Sequence, residues 1–155
     1  MLIKKGKLLE KTKEGEFDVV IYPCNCFHTP TSIMAKNIRE TFSFLVYIDK
    51  RTPIGDKRKL GCFTKYVVDL REIDFKKNKK ITIINGYLYF SNEDPQFEYK
   101  NLRKLFRLIK YKYSGKIIAF PLIGLGLKDI SINKVCEIID EELKGEEYYM
   151  VIDAD

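Results

Sequence analysis

Two stretches, FDVVIY at 17–22 and KIIAF at 116–120, hold this chain to a narrow set of folds. Each is nearly continuous in apolar residues, so each needs cover on both faces, the condition of an interior strand in a layered sheet. Amphipathic stripes that can supply the cover lie between and after them. Met34, Ile38, Phe42 and Leu45 form one apolar stripe, with Thr29 to Ser32 offering cap chemistry and Pro30 fixing the start of a helix. Leu102, Leu105, Phe106, Ile109 and Tyr113 form a second, opposite Lys100, Arg103, Arg107 and Lys110, with Gly115 ending it. Ile132, Val135, Cys136, Ile139 and Leu143 form a third. Further strands are expected at Leu2–Leu9, Cys62–Val68, Ile81–Phe90 and Tyr148–Ile152, from their β-branched and aromatic content. KTKEGE reads as a turn, 50–59 as a polar loop and FKKNKK as a solvated turn. Strands alternating with helices predict an α/β fold with a largely parallel sheet and ligands beyond the strand carboxyl ends.

The 155 residues, 45% of them hydrophobic, suffice for one core and a single domain over 1–155. Cys24, Cys26, Cys62 and Cys136 follow neither a disulfide framework nor a zinc spacing, so no metal or cofactor is expected and a reducing cytosol is. No apolar run approaches the ~18 residues of a membrane span, and Lys4, Lys5 and Lys7 interrupt what would otherwise resemble a signal segment. Charge is polarised: 50–80 holds eleven basic and four acidic residues, 129–155 two basic and nine acidic. Such a field attracts nucleotides or nucleic acid, or serves solubility alone.

Chemistry is expected in two loops that follow the buried strands, Tyr22–Ser32 and Pro121–Ser131. Backbone amides in such loops, with the helix that follows, receive anions, and Gly124 and Gly126 permit close approach. His28 is the only histidine; beside Cys24 and Cys26 it allows thiol or metal chemistry, but packing of the loop is the simpler reading. Tyr87, Tyr89 and Phe90 could stack a nucleobase or fill the core.

Taken together, CNCFHT after Val20, Lys36 and Ile38 beyond it, TPIGDKRKLG, the Asn85-Gly86 of ING and PLIGLGL resemble the macro domain family. The likeness spans nearly the whole chain and is nearest to the phage and yeast-type branch associated with ADP-ribose 1''-phosphate phosphatase. It implies a three-layer fold, a mixed and largely parallel sheet between helices, and a cleft for ADP-ribose or a related signalling nucleotide. By the same resemblance the ligand is met by Asn25, Cys26, Thr31, Ser32 and Ile33 from the first loop and by Lys36 from the helix that follows. Asn85 and Gly86 follow from the inner strand, and Ile123, Gly124, Leu125, Gly126 and Leu127 from the second loop.

Departures from the family pattern bear on activity. Lys7 follows Gly6 where relatives place a base-reading carboxylate, and an ammonium cannot accept a hydrogen bond. Pro30, Thr31, Ser32 and Ile33 put bulk where relatives have glycine. Tyr22 and Ser131 stand where phosphatase-like relatives carry a histidine and a carboxylate, leaving Asn25 and Asp129 as the only catalytic candidates; capping is the simpler role for Asp129. The expectation is therefore a cytoplasmic nucleotide binder with little or no hydrolysis, in the host cytoplasm if viral, where it could sequester a defence nucleotide. The alternatives are an ADP-ribose phosphatase or de-ADP-ribosylating hydrolase, and a repurposed fold that binds RNA or protein.

Overall fold

A computed structural model describes residues 1–153. In chain order the elements are β1 (Leu2–Lys5), α1 (Leu8–Glu14), β2 (Val19–Asn25), α2 (Ile33–Thr41) and α3 (Phe44–Lys50). They continue as β3 (Phe63–Asp69), β4 (Lys80–Tyr89), α4 (Tyr99–Tyr113), β5 (Ile117–Pro121), α5 (Ile132–Glu142) and β6 (Glu147–Ile152). The strands form one six-stranded sheet in the order β1-β6-β5-β2-β4-β3. Every pairing is parallel except β3 with β4, so the sheet is mixed and largely parallel, as expected. Strand β2, whose FDVVIY run required cover on both sides, lies between β5 and β4 and is buried at every position.

Two apolar clusters make the three layers. On one face Leu8, Ala35, Ile38 and Leu45 from α1, α2 and α3 pack on Val20, Tyr22 and Ile83. On the other, Leu102, Leu105, Phe106, Val135 and Ile138 from α4 and α5 cover Val19, Ile21, Ile84 and Phe120. The tight fit of α4 explains Gly86: a Cβ there would stand 2.9 Å from Leu105 Cδ2 and 3.2 Å from Ile21 Cγ2.

Three local expectations are corrected. The first strand stops at Lys5 instead of Leu9, and most of KTKEGE is helix α1 instead of a turn. Leu8 and Thr12, one turn apart, are its buried residues, Thr12 Oγ1 donates to the Leu8 carbonyl at 2.7 Å, and Gly15 ends it at φ 79°. The stripe from Met34 to Leu45 is continuous in burial but not in helix. The chain breaks at Phe42–Ser43, which redirects α3 toward β3 and brings Asp49 onto Arg39 at 3.0 Å. In the loop 50–59, Lys59 is buried, with Nζ donating to the Cys26 carbonyl (3.1 Å) and Thr52 Oγ1 (3.0 Å) and lying 5.2 Å from the Tyr87 ring centre.

Candidate functional site

Where parallel strands end together, the loops that leave them diverge and open a crevice. Here the carboxyl ends of β1, β6 and β5, with the start of α2, enclose a cleft of about 660 Å³, within the range of small-molecule sites. One wall is Gly6 to Glu10, where the chain leaves β1 for α1; the Gly6 amide donates to the Ile152 carbonyl at 3.0 Å and so ties that wall to the end of β6. The floor is Pro121, Val151 and Ile152, and the far wall is Ser32 to Met34 with Asn37. Leu122 and Leu125 close it from the loop after β5. Ile33 and Leu125, 80% and 71% exposed, form apolar lips on opposite sides. Charge enters from Lys7, Glu10 and Asp153.

Of the residues singled out in the sequence, Lys7, Ser32, Ile33 and Leu125 line this cleft. Ser32 is also the N-cap of α2, its Oγ accepting from the Ala35 amide at 3.0 Å, a bond that uses one acceptor site and not the O–H donor. Leu127 lines a separate hollow of about 250 Å³ with Pro95, Phe97 and Ile130. The remainder do not contribute to the wall of the larger cleft. Asn25 is buried at a register shift between Cys24 and Asn25 and ties its own loop to the one after β4: Nδ2 donates to Thr29 Oγ1 (2.7 Å) and Asn92 Oδ1 (2.8 Å), while Oδ1 accepts from the Phe27 amide (2.9 Å). Cys26 is fully buried, and Thr31 donates from Oγ1 to the Pro23 carbonyl at 2.9 Å. Lys36 is exposed and 4.0 Å from Glu40. Gly124 (φ 87°) donates its amide to Tyr89 Oη at 3.2 Å and abuts Ile130, as Ile123 fills the core behind it; Gly126 (φ 78°) is turned outward, with open space where a Cβ would stand.

Asn85, also fully buried, belongs to an ordered chain of hydrogen bonds beneath the α3 face. Tyr22 Oη donates to Asn85 Oδ1, and Asn85 Nδ2 donates to Thr64 Oγ1 at 3.0 Å. Tyr87 Oη donates to Asp49 Oδ1 at 2.8 Å, which leaves the 3.0 Å contact between Thr64 and Tyr87 to be donated by Thr64. Arg39 completes the chain, Nη1 to Asp49 Oδ2 at 3.0 Å and Nη2 to the His28 carbonyl at 3.1 Å. Burial raises the Tyr22 phenol far above its ordinary value, and burial pushes the Cys24 thiol up to about 12. His28 packs the loop, Nε2 lying 3.1 Å from the Thr52 carbonyl.

The expected cap is also corrected: Ser131, not Asp129, caps α5, accepting from the Lys134 amide at 3.2 Å, while Asp129 occupies a left-handed turn at φ 63°. Tyr87 is core and Phe90 packs edge-on against Phe27. The sequence reading gave no ligand role to Leu8, Leu9, Met34, Asn37, Leu122 and Asp153, all at the cleft. The signal available for several of them was Gly15, a C-terminal stop seven residues after Leu8 that marks α1.

No family model matches the sequence. An uncharacterized 17.5 kDa protein from the tk-vs intergenic region of Enterobacteria phage T4 is 29% identical over 134 residues, covering 82% of this chain and 81% of its own. Among solved structures, the macrodomain of Thermus aquaticus DarG is similar with a TM-score of 0.70 at 16% identity, covering 99% of both chains. The macrodomain of Mycobacterium tuberculosis DarG gives 0.69 at 15%, covering 99% of this chain and 97% of that one. Thermosipho africanus DarTG, solved in complex with ADP-ribose, gives 0.71 at 15%, over 90% of this chain and 39% of that one. The likeness runs through every layer of the sheet and its helices, and the fold of this chain is that of a macrodomain.

Proposed function

We propose that this protein binds ADP-ribose or a related signalling nucleotide in the cleft between α1 and α2, and turns it over slowly or not at all. The observation that carries the reading is the cleft itself: about 660 Å³, at the carboxyl ends of parallel strands, in a fold shared with a structure that holds ADP-ribose. Apolar lips suit a base or ribose, and Lys7 supplies a cation on the wall.

The commitment of the polar groups supports binding without efficient hydrolysis. A general base must accept a proton near neutral pH. The Tyr22 phenol is buried and donates to Asn85, and the Ser131 hydroxyl caps α5. Asn25 spends its amide on Thr29, Asn92 and Phe27, and Asp129 lies outside the cleft wall. The similarity to a phage T4 protein is compatible with an infected cell's cytoplasm as the setting, where a binder of this kind would hold a defence nucleotide out of circulation. Isothermal calorimetry with ADP-ribose, ADP and cyclic nucleotides tests the binding, and phosphate release from ADP-ribose 1''-phosphate tests the chemistry. Saturable binding that falls when Leu125 is replaced by Glu, with no turnover, is the expected result. No heat from any of these ligands at about 1 mM overturns the binding. Turnover abolished by Asp129→Asn would instead establish a hydrolase.

A further inference from the structure

The loop between β5 and α5 has a cavity on each side. Leu122 and Leu125 line the cleft, while Leu127, Lys128 and Ile130 line the hollow of about 250 Å³, whose other wall is the loop after β4. Strands β4 and β5 both run parallel to β2, so the two loops leave the sheet at the same end, the one at which the cleft opens. Leu125 and Leu127 are two residues apart, at most about 7 Å along the chain. Gly126 between them has open space where a Cβ would stand, so the ridge that parts cleft from hollow carries no side chain at its crest.

The ridge is tied down at both ends. The Gly124 amide donates to Tyr89 Oη at 3.2 Å and the Ser131 amide to Tyr99 Oη at 2.8 Å. Phe97, on the hollow's wall, lies between those two rings, 5.9 Å from the centre of Tyr89 and 6.1 Å from that of Tyr99. Three non-glycine residues have left-handed backbone among the described residues, and two of them border this hollow: Gln96 (φ 45°) lines it, and Asp129 (φ 63°) stands between two lining residues. Such conformations cost free energy and persist where the surroundings over-determine them, as ligand clamps do.

The size and chemistry of the hollow indicate an occupant. At about 250 Å³ it is smaller than the roughly 300–1,000 Å³ of a free-standing small-molecule site, which suits an annex for one end of a longer ligand. Phe97, Leu127 and Ile130 offer apolar walls to a flat ring. Gln96 Nε2 donates to Asp94 Oδ2 at 2.9 Å, leaving Gln96 Oε1 and Asp94 Oδ1 to accept from an amino or carboxamide group at the ring's edge.

We infer that the hollow receives a second base, so that the preferred ligand is a dinucleotide. One nucleoside and the phosphates occupy the cleft, the second ribose crosses Gly126, and the second base lies against Phe97. This rests on the nucleotide reading of the cleft and names the class of nucleotide.

NAD+ and ADP-ribose are a matched pair for the test, since NAD+ is ADP-ribose carrying a nicotinamide base on its distal ribose. In calorimetry the unaltered protein should bind NAD+ at least about tenfold more tightly than ADP-ribose. Asp94→Lys should remove that margin, because a lysine cannot accept from the carboxamide and sets a cation against the pyridinium ring. Gln96→Gly, which deletes the other acceptor and relieves the left-handed backbone, should reduce it. Both positions are exposed and neither lines the cleft, so each variant should bind ADP-ribose as the parent does, which also shows that it folds. Saturable binding of ADP-ribose with no tighter binding of NAD+, or a margin that survives Asp94→Lys, overturns the second base and leaves the cleft reading standing. If neither ligand binds at about 1 mM, the cleft reading falls and the second base with it.

Discussion

Asn85 and Lys7 show how different the fates of two residues can be within one resemblance. Asn85 is fully buried and its amide joins Tyr22 to Thr64, the first link of a chain that ends at the Arg39–Asp49 pair. Buried polar groups are costly when a partner is removed, because the remaining atom keeps its desolvation penalty. Tyr22→Phe should therefore lower stability by about 1–3 kcal/mol in urea unfolding while leaving ligand binding in the cleft unchanged. Arg39→Met should cost more, about 3–5 kcal/mol, since it strands the Asp49 carboxylate at 1% exposure. Lys7, by contrast, lies on the cleft wall, where Glu10 and Asp153 already contribute carboxylates. Replacing Lys7 with Asp leaves that wall with no cation, so the affinity for a diphosphate-bearing ligand should fall by at least about tenfold in calorimetry. Unchanged affinity would place the phosphates elsewhere.

Among the elements, the α4–α5 pair carries the clearest dependence on pH. Hydrogen bonds from Arg107, then from Arg103, hold the Glu142 carboxyl below its ordinary value against the opposing effect of burial. A carboxyl depressed in the folded state stabilises above its unfolded value and loses that contribution as pH falls through the folded one. Glu142→Gln should melt earlier than the parent at neutral pH, by about 1 kcal/mol or less, and the two should converge as pH falls below the ordinary glutamate range. Elements of this size were legible in the sequence because they repeat: α4 runs Tyr99–Tyr113 with an apolar row and a basic row, and β2 and β5 are unbroken apolar runs. Helix α1 was not, since seven residues give a single buried turn, Leu8 to Thr12, and its lysines read as a turn. The break at Phe42–Ser43 was hidden for the opposite reason. Burial stays in phase across it, so the pattern reports a face toward the sheet and says nothing of hydrogen bonds along the backbone. The cleft was half legible: the loops after β2 and β5 announce themselves, but the wall from Gly6 to Glu10 depends on a pairing between distant segments, Leu2 with Tyr149 and Lys5 with Ile152, that no local pattern records.

For the molecule as a whole, the sheet order places the cleft at the margin formed by β1 and β6 and leaves β3 at the opposite one. Of the α5 carboxylates, Glu141 and Glu142 meet Arg103 and Arg107 of α4, while Asp140 holds the Met1 amine. Strand β1, four residues long and mostly exposed, is held at the margin by β6 alone. An edge of this kind opens locally, without global unfolding, and its amides exchange with solvent accordingly. A ligand in the cleft would touch the turn after β1, the end of β6 and the start of α2 at once, and so bridge the loose margin to the rigid interior. Hydrogen–deuterium exchange should then slow at Leu2–Gly6 when ADP-ribose is added, with no change at β3. The cleft's occupant would act as a missing clasp on the outermost strand, and protection of that strand would report occupancy without any label on the ligand.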